Sequence, residues 1–72
     1  MSNFQSRVLA EREELNEKIL KLATFFDTKL YGSLPPDERH RMSRQHAAMV
    51  EYSNILSERI DAFEPFQEAE TG

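Results

Sequence analysis

Apolar residues in the first half of the chain recur at helical intervals. Val8, Leu15 and Leu22 form a line, with Phe4, Ile19 and Phe26 beside it. Spacings of three, four and seven keep such residues on one face of a helix. In the second half Met42, Met49, Leu56 and Phe63 repeat every seven residues, flanked by Ala48, Tyr52 and Ile60. Between the two stripes lies Tyr31-Gly32-Ser33-Leu34-Pro35-Pro36-Asp37, a strong breaker. The pattern predicts an all-α chain, an antiparallel two-helix hairpin.

Local signals set the expected boundaries. Ser2 with Gln5 matches a capping box, in which each side chain satisfies an orphan backbone donor. The first helix is expected from about residue 2 to about residue 30, with Gly32 as a left-handed C-terminal residue. Such a helix would be roughly 43 Å long. Glu14 with Lys18, and Glu17 with Lys21, have the favourable i,i+4 orientation for ion pairs on the wet side. The turn is assigned to 31–35. Pro35 forces Leu34 into an extended conformation, Pro36 suits the first helical position, and Asp37 and Glu38 complement the dipole behind it. The second helix is expected over about 36–63, where Glu64-Pro65 ends it. Residues 1–64 are read as one helical hairpin domain and 65–72 as an acidic, flexible tail.

Not every apolar residue fits the stripes. Leu9, Leu20, Ala23 and Phe25 in the first half, and Ala47, Val50 and Ile55 in the second, would face water in a lone hairpin. A second apolar face of this kind marks subunit contacts. With 72 residues and no cysteine, the chain is too small to be stable by area alone and has no disulfide to help it. The hairpin is therefore expected to close into a compact homo-oligomer.

Composition narrows the function further. No apolar run approaches the roughly 18 residues of a membrane span, and no signal pattern opens the chain, so a soluble, cytoplasmic protein without a membrane partner is expected. The net charge of −4 argues against DNA or RNA polymers as partners. That charge is uneven: residues 39–46 read Arg-His-Arg-Met-Ser-Arg-Gln-His, with no acid among them. A phosphate site depends on local charge, so the net value does not exclude one.

No catalytic grouping stands out, and an enzyme is not expected. His40 and His46 are six apart, on different helix faces, without the i,i+4 spacing of a helical metal pair; both read as solvated. Neither metal nor cofactor is implied. Arg12 falls in register with Ile19 and Phe26, where an apolar residue would be expected. An arginine there either snorkels to the edge, the commoner outcome, or pairs with an anion. Arg7, Arg44 and Arg59 are further cations near apolar stripes. Flat aromatics beside such cations suit a nucleobase with a phosphate. Phe4, near a terminus, is divided between that role and packing, whereas Tyr52 reads as core.

The residues Arg7-Val8, Glu11, Leu15, Lys18-Ile19, Lys21-Leu22 and Phe25 precede the turn, and Met42, Gln45, Met49, Tyr52, Leu56 and Arg59-Ile60 follow it. Together they resemble the helical hairpin domain of phage anti-CBASS cyclic-nucleotide sponges, shared with Thoeris anti-defence proteins. The resemblance implies an interlocked homohexamer that binds cyclic di- and trinucleotides without cleaving them. Sequestering the messenger in the host bacterial cytoplasm during infection would keep the CBASS effector off. It points to an aromatic near the N-terminus and a lysine of the first helix as ligand contacts, by position Phe4 and Lys18, with Arg7, Lys21, Arg44 and Arg59 as further candidates. A symmetric ligand with two phosphates and two bases suits a two-fold axis, each subunit supplying a cation and an aromatic. The alternative is a non-enzymatic phage adaptor, binding a protein partner through the second apolar face.

Overall fold

The computed structural model describes residues 3–63, which form three helices: α1 (Asn3–Phe25), α2 (Lys29–Ser33) and α3 (Pro36–Asp61). No strand occurs among the described residues. Helices α1 and α3 pack along each other as a hairpin. Val8 and Leu15 of α1 meet Leu56 of α3 and Phe63 just beyond it, with Ile19, Met49 and Ile60 packed against them. These are the residues of the two predicted stripes. Leu22 and Met42 extend the stripes toward the turn, half-buried. No helix among the described residues is long and apolar enough to cross a membrane.

The first helix is shorter than its pattern suggests. It ends at Phe25 rather than near Leu30, and a separate one-turn helix fills part of the connection. The cause is local. Asp27 N–H and Thr28 N–H bond three residues back, to Thr24 O at 3.1 Å and Phe25 O at 3.0 Å, tightening the last turn. Thr28 then takes an extended conformation, and its hydroxyl accepts from Tyr31 N–H at 3.2 Å. That arrangement caps a new helix start. Gly32 lies inside α2, and no glycine has a positive φ among the described residues. It is not the left-handed cap expected of it.

The rest of the connection follows the prolines. Leu34 and Pro35 are extended, Pro36 opens α3, and Asp37 and Glu38 occupy its first turn. Aromatic rings pin the turn to the hairpin. Tyr31 lies edge-on to Phe25 with centroids 6.0 Å apart and 4.8 Å from Phe26, while Phe26 meets His46 at 5.4 Å. Tyr31 also donates its hydroxyl to Arg39 O at 3.4 Å, and Arg39 Nε donates to Leu34 O at 3.1 Å. His46 is thus packed rather than solvated, and Phe25 is a turn anchor rather than a spare apolar group. The second helix ends at Asp61, two residues short of expectation, an ordinary scatter for helix ends. Ser2, half of the expected capping box, and the expected acidic tail over 65–72 lie outside the described residues.

Candidate ligand-binding edge

Two hydrogen bonds fix how α1 and α3 stand beside each other. Arg12 Nη1 donates to Ser57 Oγ at 3.2 Å, and Ser53 Oγ donates to Asn16 Oδ1 at 2.6 Å. The arginine on the apolar stripe therefore turns to the edge, the commoner of its two expected outcomes, and there bonds the facing helix. Both bonds lie along one edge of the hairpin. The opposite edge is set by Phe4 and Arg59, whose guanidinium carbon stands 5.4 Å from the Phe4 ring centroid. Helix geometry explains the division. A four-residue step advances about 40° around a helix, so Phe4 and Arg12, four before and four after the buried Val8, fall on opposite sides of the core line. Ser53 and Arg59, three before and three after the buried Leu56, divide in the same way.

Phe4 is 55% exposed, yet its ring also meets Phe63 at 5.9 Å and 58°. It closes the open end of the core on one side and offers a face to solvent on the other. Of the two readings of this residue, the structure shows the packing one and leaves the ring half open to solvent. Cation–π attraction in a half-exposed setting contributes about 0.5–1 kcal/mol and holds the Arg59 guanidinium over the ring.

Seven-residue steps stay close to one side of a helix, so Phe4, Glu11, Lys18 and Phe25 follow one another along the same edge, and so do Arg59, Tyr52 and Gln45. Arg7 lies on this side too, one turn from Phe4 and further out. Glu14 and Lys21, one and two heptads past Arg7, share its outer line, while Arg44 on α3 turns toward the outer surface. All six candidate residues are exposed. The edge and this outer line carry the cations Arg7, Lys18, Lys21 and Arg59 against the acids Glu11 and Glu14, a local balance opposite in sign to the chain's −4. Among the described residues the ion pair that closes is Arg41 with Glu38 at 2.9 Å; the expected Glu14–Lys18 and Glu17–Lys21 pairs do not.

Phe4 and Lys18 are not neighbours. Fourteen residues of helix separate them by about 21 Å along the axis, beyond the reach of one small ligand. Within a single chain, therefore, the aromatic near the terminus and the helix-one lysine belong to different places. Sequence reasoning also missed Tyr52, assigned to the core but 42% exposed. The available signal was its seven-residue spacing from Arg59, which ties it to an exposed edge.

A shallow concavity lies on another face. About 710 Å³ in volume, it follows α1 and is lined by Leu9, Ala10, Leu20, Arg12, Glu13 and Glu17. Its two acids outnumber its one cation, which disfavours a phosphate, and its leucines belong to the surplus apolar face seen in the sequence.

Comparison with known curated proteins and with solved structures finds no match. Comparison with family models does: the sequestin model matches residues 2–62. This agrees with the resemblance to cyclic-nucleotide sponges drawn from the residues. The matched span takes in α1, the turn, α3 and every residue of the edge, and the chain belongs to the sequestin family.

Proposed function

We propose that this protein is a non-catalytic sponge. It binds cyclic dinucleotides, and cyclic trinucleotides as a second class, and holds them without cleavage. In an infected bacterium it would deprive the CBASS effector of its messenger. The family name, which denotes sequestration, supports the general activity. The observation that carries the ligand class is the Phe4–Arg59 couple on an edge that also bears Arg7 and Lys18. A flat apolar face beside a bidentate phosphate donor suits a nucleotide.

Sequestration here is proposed to need an oligomer, a hexamer on the family pattern. Leu9, Leu20, Val50 and Ile55 are all exposed in the single hairpin. Its radius of gyration is 16.7 Å, against about 11 Å for a compact chain of this length. Both features suit a protomer that finishes its core with other copies. Assembly would also allow Phe4 of one copy to approach Lys18 of another.

The test is recovery of intact ligand. Protein is incubated with a cyclic dinucleotide, dialysed free of unbound ligand, and heat-denatured. The sponge reading expects the supernatant to contain the unchanged cyclic compound, in fixed proportion to protein. Linear products, or no retained nucleotide, would contradict it. The groove between Leu9 and Leu20 favours one other reading, an adaptor that docks a protein helix there; such a protein would retain no nucleotide in this assay.

A further inference from the structure

We propose that Tyr52 is a ligand-contacting aromatic paired with Lys18, and that the two act as one nucleotide-gripping couple. This rests on the sponge reading and names a further residue of the site. The argument begins from the Asn16–Ser53 hydrogen bond of 2.6 Å, which fixes the relative height of the two helices. Lys18 lies two residues beyond Asn16, about 3 Å along α1. Tyr52 lies one residue before Ser53, and α3 runs the opposite way, so it moves about 1.5 Å in the same direction. Lys18 and Tyr52 therefore stand within about 1.5 Å of the same level.

They also share an edge. Tyr52 is one heptad before Arg59, and Lys18 is two heptads after Phe4. Since Arg59 and Phe4 meet on one side of the hairpin, the seven-residue steps carry Tyr52 and Lys18 along that side. Both are exposed, Tyr52 by 42%. A tyrosine at a heptad-related position beside a core line is ordinarily covered; this one leaves part of its side chain open to solvent. The edge thus holds one aromatic–cation contact, Phe4 with Arg59, and places a second aromatic and cation, Tyr52 and Lys18, at one level. Of these two aromatics only Tyr52 shares a level with Lys18, since Phe4 is about 21 Å away along α1.

The chemistry fits a nucleotide with a phosphate adjoining a base. Lys18 is a point charge for the phosphate, and the Tyr52 ring is a stacking surface for the base. Base–aromatic stacking of about 1–3 kcal/mol corresponds to roughly five- to over a hundredfold in affinity.

The experiment is calorimetry of cyclic di-AMP and cyclic di-GMP with wild-type protein and with Tyr52→Leu, Tyr52→Phe, Lys18→Ala and the Tyr52→Leu/Lys18→Ala double variant, the assembled mass of each being checked. Tyr52→Leu is expected to weaken binding at least fivefold at unchanged mass, and Tyr52→Phe to restore most of it. The double variant should lose less than the product of the two single losses, because the couple acts on one nucleotide. If wild-type protein binds and Tyr52→Leu binds equally well, the sponge reading stands and the role of Tyr52 is overturned. If wild-type protein binds neither ligand, both fall. Should Tyr52→Leu fail to assemble, the ring resonances of Tyr52 in wild-type protein decide. A saturable shift on titration supports the couple, and unmoved resonances during confirmed binding overturn it.

Discussion

At the scale of single residues, the proposed site depends on cations whose partners are not acids of the same chain. Lys18 is exposed and its expected partner Glu14 does not close on it. Losing one charge-assisted phosphate contact costs about 1.5–3 kcal/mol, so Lys18→Ala should weaken cyclic dinucleotide binding roughly ten- to a hundredfold. The variant should unfold at the same denaturant concentration as wild type, because the side chain supports no packing. Leu56, wholly buried, is the converse case. Leu56→Ala should cost about 2–5 kcal/mol in a denaturant titration, through a cavity at the α1–α3 contact. The residues easiest to interpret from sequence were those whose environment a period dictates: Val8, Leu15 and Leu56 are buried as their stripe requires. Those hardest to interpret were polar or amphipathic. Tyr52, His46 and Arg12 each carry an apolar body and a polar tip. Periodicity does not say which end the fold will cover, and here cross-helix neighbours such as Ser57 and Phe26 decide it.

At the scale of elements, two long helices and a proline-directed reversal were legible, because a 3.6-residue period and Pro35-Pro36 are strong local signals. The end of α1 was not. Apolar residues continue past it at Phe26, Leu30 and Tyr31, and the stop comes from Thr28 bonding Tyr31 N–H. Thr28→Ala should remove that cap and lower stability by about 0.5–2 kcal/mol, read as a fall in denaturation midpoint. Gly32 gives a prediction of opposite sign. It sits in α2 without a positive φ, and an added Cβ would meet nothing within 4 Å. Gly32→Ala should therefore raise stability by about 0.4–1 kcal/mol, by restricting the unfolded chain. A left-handed cap at this position would instead make the same substitution destabilising.

At the scale of the whole molecule, a single hairpin leaves too much apolar surface in water. Leu20 is 68% exposed, so Leu20→Glu should be harmless to an isolated hairpin. In an assembly that covers the Leu9–Leu20 groove it would bury an unpaired carboxylate at a cost of several kcal/mol, roughly. Light scattering should then show wild-type protein well above its 8.4 kDa chain mass and the variant well below wild type. The site could be placed on an edge but not completed from one chain, because about 21 Å of helix separates Phe4 from Lys18. Stoichiometry bears on that point and on function together. Assembled wild-type protein is titrated calorimetrically with a panel of cyclic di- and trinucleotides. The account predicts saturable binding of at least one cyclic dinucleotide, at one ligand per two chains, as a pocket on a two-fold axis requires. No heat from any member of the panel at high micromolar ligand, on correctly assembled protein, would contradict it.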